Sequence, residues 1–130
     1  MQTWNHVTNV LDGFSRNLRL ISRSYQAAIQ FIILSDEILA ELPRGRAYLV
    51  EQLQRAASSI TLNIAEGAGE YARHEKHRFY RMAKRSATEC AAILDIGLKL
   101  GLIDTKKLRD ARDLLFRIVS MLIKMVSSSH

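Results

Sequence analysis

The segment QLQRAASSITLNIAEGAG, residues 52–69, carries apolar side chains at helical spacing. They recur three or four positions apart, at Leu53, Ala56, Ile60 and Ile64. Because an α-helix has about 3.6 residues per turn, this spacing places them on one face, and we predict a helix over residues 47–68. Gly67 and Gly69 are typical of a helix C-terminus.

Helical patterns also cover residues 21–42, 72–100 and 105–126. Helix breakers and capping residues stand between these segments: Pro43, Gly45, Gly101, and Asp104 or Thr105. Four long helices with short connections predict an all-α protein, folded as an up-down antiparallel four-helix bundle. We assign residues 21–127 to the bundle, residues 1–20 to an extra N-terminal arm or short helix, and residues 128–130 to a frayed tail.

The composition argues against several classes of protein. A single cysteine, Cys90, allows no intrachain disulfide and no paired-cysteine zinc site. No stretch resembles a signal peptide or reaches the length of a membrane span, so we expect a cytoplasmic protein with no membrane contact. The sequence carries no phosphate-binding glycine loop and no catalytic triad order, and we expect no cofactor. The net charge of +6 favours an anionic partner.

The first and fourth predicted helices are apolar around most of their circumference. A helix at the surface of a monomer needs about three apolar positions in seven, and both segments exceed this. Apolar cover this wide predicts burial on a second face, and we expect a homo-oligomer. The alternative is that the N-terminal arm folds back over one face of a monomer.

Polar residues lie beside the apolar seams of the second and third helices, at Arg55, Ser59, Asn63, Glu66, Ser86 and Glu89. Because polar groups near a core need partners, we predict a structural network in which Arg55 pairs with Glu66 or Glu89. The alternative is an active site built on the two carboxylates. No nucleophile, base or metal set accompanies them, so we expect no enzymatic activity.

The start of the third helix is strongly basic, with Arg73, Lys76, Arg78, Arg81, Lys84 and Arg85. Such side chains neutralise phosphates without reading base sequence, so we predict nucleic-acid binding here. The alternatives are a solvated helix face, or pairing with Glu37 and Glu41 of a neighbouring subunit. His74 and His77 lie three apart, but no partner set accompanies them and we expect no metal site.

The sequence resembles the four-helix-bundle family encoded by intervening sequences of bacterial 23S ribosomal RNA genes. The resemblance spans residues 21–126 and rests on Leu42-Pro43, Gln52-Leu53, Arg55-Ala56, Ser59-Ile60, Asn63-Ile64-Ala65-Glu66-Gly67, Arg78-Phe79, Ala83, Ser86 and Glu89. Departures from the family pattern are Glu70 for a basic residue, Thr61 for a proline, Lys76 for an aromatic or aliphatic residue, and Arg85 for a glycine.

That family is similar to the accessory proteins of diversity-generating retroelements, which bind nucleic acid and a reverse transcriptase. The resemblance therefore implies a homopentamer, binding of RNA or DNA, and no enzymatic activity. Our leading hypothesis is a non-enzymatic, homo-oligomeric nucleic-acid-binding protein. The alternative is an interaction scaffold that recruits a protein partner without binding nucleic acid.

Overall fold

The computed structural model describes residues 18–127, which form four helices: α1 (Leu18–Ala40), α2 (Ala47–Gly69), α3 (Arg73–Lys99) and α4 (Thr105–Ser127). No strand occurs within this range. Each helix packs against two others, so that α1 and α3 both lie between α2 and α4, and the backbones of the diagonal pairs do not approach each other. The predicted antiparallel four-helix bundle is confirmed.

The turns form where the sequence places its breakers. Gly45 and Gly101 adopt φ values of 91° and 70°, the left-handed conformation that glycine tolerates best. The Asp104 carboxylate accepts a hydrogen bond from the Lys107 backbone amide at 3.4 Å, so Asp104 caps α4. The helix ends agree with the predicted ends within two residues, apart from the start of α1.

The described part of α1 already includes Leu18, Arg19 and Leu20, which the sequence analysis assigned to the N-terminal arm. These three residues therefore belong to the bundle. The remainder of the predicted arm, residues 1–17, and the predicted tail, residues 128–130, lie outside the described residues. None of the four helices has the length and apolar content needed to cross a membrane.

The predicted seam of α2 is buried, with Leu53, Ala56, Ile60 and Ile64 all at most 3% exposed. Facing it on α3 are the small residues Ala83, Ala87 and Cys90, and α2 and α3 form the most extensive helix pair. Small side chains let two helix backbones approach closely, which explains why this pair makes the most extensive contact in the bundle.

Gly67 has a role that the sequence analysis missed. It does not end α2, which continues to Gly69, and it is buried against the ring of Tyr80 on α3. A Cβ atom at Gly67 would lie 2.5 Å from Tyr80 Cε1. The glycine is therefore required by close packing between α2 and α3 rather than by a helix terminus.

Candidate nucleic-acid interface

Five cations of the predicted set are exposed on the first half of α3: Arg73, Arg78, Arg81, Lys84 and Arg85. Arg81 and Arg85 are one helical turn apart, and Lys84 lies beside them. The opposite face of this half-helix is buried through Tyr80 and Ala83. The helix therefore presents its cations outward as one surface, which we call the basic face of α3.

Arg78 is the one member of the basic face with an ion-pair partner within residues 18–127. Its Nε lies 2.9 Å from Glu75 Oε2, and its guanidinium lies over the Phe79 ring at 4.5 Å from the centroid. The hydrogen bond from Arg78 lowers the pKa of Glu75 below its usual range. Part of the Arg78 charge is thus already balanced, while Arg73, Arg81, Lys84 and Arg85 have no such partner in the described part of the chain.

Lys76 does not belong to the basic face, contrary to the sequence prediction. It is only 8% exposed, and its ammonium donates hydrogen bonds to the backbone oxygens of Gly67 and Ala68, both at 3.2 Å. Burial lowers the pKa of Lys76, and Glu70 partly opposes this. Because the last carbonyls of a helix lack intrahelical donors, Lys76 caps the C-terminus of α2.

Replacing Lys76 with methionine is expected to lower the free energy of unfolding by about 1–3 kcal/mol. Methionine keeps the apolar stem but removes the ammonium, so that Ala68 O loses its side-chain donor and Gly67 O keeps only its bond from the Glu70 backbone amide. Lys84→Met is the matched control, because Lys84 is exposed and should change stability by less than about 0.5 kcal/mol. Urea denaturation of both variants measures the difference, and equal stability would rule out the capping role.

The charges of the bundle are divided unequally between its two ends. The half containing the α2–α3 turn comprises residues 18–28, 59–85 and 117–127, and we call it the basic end. It has ten cations against three carboxylates, Glu66, Glu70 and Glu75. The opposite half of the described chain has eight cations against nine carboxylates. The basic end therefore carries the positive surplus of the described chain.

Ion pairing increases this contrast. Three of the four ion pairs within the described range lie at the opposite end: Lys107–Glu41, Arg112–Asp95 and Lys106–Asp110. The basic end has one, between Arg78 and Glu75. Cations at the opposite end are thus partly neutralised within the chain. At the basic end, Arg73, Arg81, Lys84 and Arg85 have no ion-pair partner within residues 18–127 and leave a positive field toward solvent.

The structure brings together three of the six residues of the predicted polar network. The Ser86 hydroxyl donates to the Ser59 hydroxyl at 2.8 Å, which joins α3 to α2. The Asn63 side-chain amide donates to the Ser59 hydroxyl at 2.9 Å and to the Ser59 backbone oxygen at 2.8 Å. These bonds satisfy partly buried polar groups, so this cluster is structural.

The other three residues, Arg55, Glu66 and Glu89, are exposed, and none makes an ion pair or side-chain hydrogen bond within residues 18–127. The predicted pairing of Arg55 with Glu66 or Glu89 therefore does not form. Because Ser59 lies level with Ser86, Glu66 and Glu89 are separated by ten residues along the bundle axis, or about 15 Å. This spacing separates the two carboxylates too widely for a shared site.

The other candidate reactive residues, His74, His77 and Cys90, do not form a shared site. His74 is exposed and His77 is buried, and no group of three or more metal-binding side chains occurs within residues 18–127. Cys90 is fully buried, and burial raises the pKa of its thiol to about 12. A thiol in this environment is a packing residue.

Two surface grooves that the sequence analysis did not identify border α4. One, of about 360 Å³, lies between α1 and α4 and is lined by Gln26, Gln30 and Phe116 among others. The second, of about 260 Å³, lies between α3 and α4 beside Arg81 and Lys84. The outer face of α4 contributes an exposed apolar side chain to each groove. Phe116, which is 74% exposed, lines the first, and Ile123, which is 49% exposed, lines the second. The wide apolar cover of α4 was the sequence signal for these grooves.

Fold and surface together define an antiparallel four-helix bundle with one strongly basic end and no assembled catalytic group within the described residues. The chain belongs to the family of 23S rRNA-intervening sequence proteins, whose family model matches residues 20–124. This match confirms the resemblance inferred from the motif around Asn63–Gly67. A search of curated proteins found no match to the chain.

Proposed function

We propose that this protein is a non-enzymatic homo-oligomer that binds RNA or DNA through the basic face of α3. The observation that carries the proposal is the set of exposed cations on this face, of which only Arg78 has an intrachain ion-pair partner within residues 18–127. The separation of Glu66 and Glu89 by about 15 Å along the bundle axis supports a role without catalysis. We also propose that the protein lies in the cytoplasm, where RNA or DNA would be available to bind.

The mechanism is electrostatic capture of backbone phosphates. Each arginine or lysine that contacts a phosphate releases a condensed counterion, so the affinity falls as the salt concentration rises. Five cations per chain correspond to a slope of about −3 to −4 in a plot of log affinity against log salt for a single strand. Contacts of this kind position the nucleic acid but do not read its sequence.

Fluorescence anisotropy with a labelled 12-nucleotide RNA, at salt concentrations from 50 to 200 mM, tests the proposal. We expect binding at low salt, with the slope given above and little dependence on base sequence. Absence of binding at low salt would contradict the proposal.

Self-association is the second part of the proposal. Ile33 on α1 is 59% exposed and Phe116 on α4 is 74% exposed, and Phe116 also lines the groove between α1 and α4. Large exposed apolar side chains of this kind mark protein interfaces. A second copy of the chain packed on the outer surface of α1 and α4 would bury them, and the family resemblance implies a ring of five such copies.

Phe116→Glu is expected to lower the solution mass from that of an oligomer to the 14.8 kDa of one chain. A charge in an apolar interface costs several kcal/mol, whereas the exposed position leaves the fold of one chain intact. Leu62→Glu on α2 is the matched control, since Leu62 is 63% exposed but lies away from this groove. Light scattering compares the two, and an unchanged mass for Phe116→Glu would exclude this interface.

The scaffold alternative rests on a different surface. Tyr48 and Leu62 lie on the outer side of α2 and are 47% and 63% exposed. They offer apolar surface to a protein partner. A scaffold of this kind would show no salt-dependent affinity for RNA. The anisotropy titration therefore distinguishes the two functions.

A further inference from the structure

The groove between α3 and α4 combines two kinds of surface. Arg81 and Lys84 line it from α3, next to the buried ring of Tyr80, while Leu122, Ile123 and Val126 line it from α4. Within residues 18–127, no carboxylate lines this groove. A ligand that fits it must therefore present an apolar group to α4 and an anionic group to α3.

The apolar side is open to solvent. Ile123 is 49% exposed, although an isoleucine on a bundle helix is normally covered. The two cations beside it have no ion-pair partner within residues 18–127, so their charge is available to a ligand. The volume of about 260 Å³ lies just below the range of about 300–1,000 Å³ typical for drug-sized ligands.

We propose that this groove takes one unpaired base of a bound strand, while Arg81 and Lys84 hold the adjacent phosphate. A nucleotide is the ligand that unites these properties: its base is flat and largely apolar on its faces, and its phosphate is anionic. The inference rests on the proposed function, because it names the form of nucleic acid that the basic face of α3 binds.

The proposal implies a preference for single strands. In a duplex the base faces are stacked on one another, and placing a base in a side pocket requires unstacking it. An unpaired strand presents its bases without that cost. Arg73 and Arg85 do not line the groove, and they are free to contact neighbouring phosphates of the same strand.

Anisotropy titrations with three probes of equal length test this inference at one low salt concentration. The probes are a 12-nucleotide single-stranded RNA, the corresponding duplex, and an abasic strand that has the sugar–phosphate backbone alone. We expect the single strand to bind about 5- to 100-fold more tightly than the abasic strand, because each accommodated base adds to the affinity.

Ile123→Ser is expected to reduce this ratio to about 1–3 while leaving the salt dependence unchanged, since it removes the apolar wall and no charge. Ile96→Ser is the matched control, because Ile96 is 44% exposed on the other half of α3 and should keep the ratio. Circular dichroism of both variants verifies that the fold is retained.

Equal affinity of the wild-type protein for the abasic and base-containing strands would overturn the base-binding groove and leave phosphate capture standing. A ratio that survives Ile123→Ser would place base binding elsewhere and also overturn it. Failure of all three probes to bind would overturn the proposed function together with this inference.

Discussion

Replacing Arg81, Lys84 and Arg85 together with glutamine is expected to weaken RNA binding about 30- to 300-fold at 50 mM salt. Each side chain is exposed on the basic face of α3 and lacks an intrachain ion-pair partner within the described residues. Removal of three phosphate contacts should also reduce the salt slope by about 2 to 3. Glutamine keeps a polar side chain at each position, so the fold is preserved.

A charge-matched variant separates this effect from the change in net charge. Arg44, Lys99 and Arg109 are exposed at the opposite end of the bundle and make no ion pair within residues 18–127. Their replacement with glutamine lowers the net charge by the same three units. We expect less than about a threefold loss of affinity, because screening confines the effect of an exposed charge to roughly 14 Å at 50 mM salt. Equal losses in both variants would show that net charge alone attracts RNA.

Gly67→Ala is expected to lower the free energy of unfolding by about 1–3 kcal/mol, despite the better helix propensity of alanine. The new Cβ would lie 2.5 Å from Cε1 and 2.8 Å from Cδ1 of Tyr80, well inside contact distance. Tyr80 is 2% exposed, so moving its ring away from the new Cβ would disturb the side chains packed around it. The clash therefore forces α2 and α3 apart at their closest packing.

Gly69→Ala is the matched control, because Gly69 lies two residues further along the same helix and its added Cβ would meet no packing neighbour within 4 Å among the described residues. Since alanine has the higher helix propensity, this variant is expected to be as stable as the wild type or slightly more stable. Urea unfolding of the two variants gives the comparison. A stable Gly67→Ala variant would show that Tyr80 repacks without cost.

Much of this architecture could be predicted from the sequence. The apolar spacing of Leu53, Ala56, Ile60 and Ile64 fixes one face of α2, and the breakers near Pro43 and Gly101 fix the turns. These signals are local, since helix period and turn chemistry depend on residues close together in the chain. The four-helix fold follows from them with few alternatives.

The candidate site was predicted less well, because it depends on contacts between helices. In the sequence, Lys76 cannot be told apart from the other cations of the basic segment, such as Arg73 and Lys84. In the structure, its ammonium instead donates hydrogen bonds to α2 carbonyls across the turn between α2 and α3. The family resemblance implies an aromatic or aliphatic residue at position 76, and that expectation was the available signal for burial of Lys76. Arg55 and Glu66 share a helix with Ser59, but only the three-dimensional register shows which of them face α3.

The most direct test of the central claim is the solution mass by light scattering, with and without a short single-stranded RNA, at low and then high salt. We expect an assembly of several 14.8 kDa chains that gains the mass of bound RNA at low salt and loses it at high salt. A single chain whose mass does not change when RNA is added would contradict both self-association and the nucleic-acid interface.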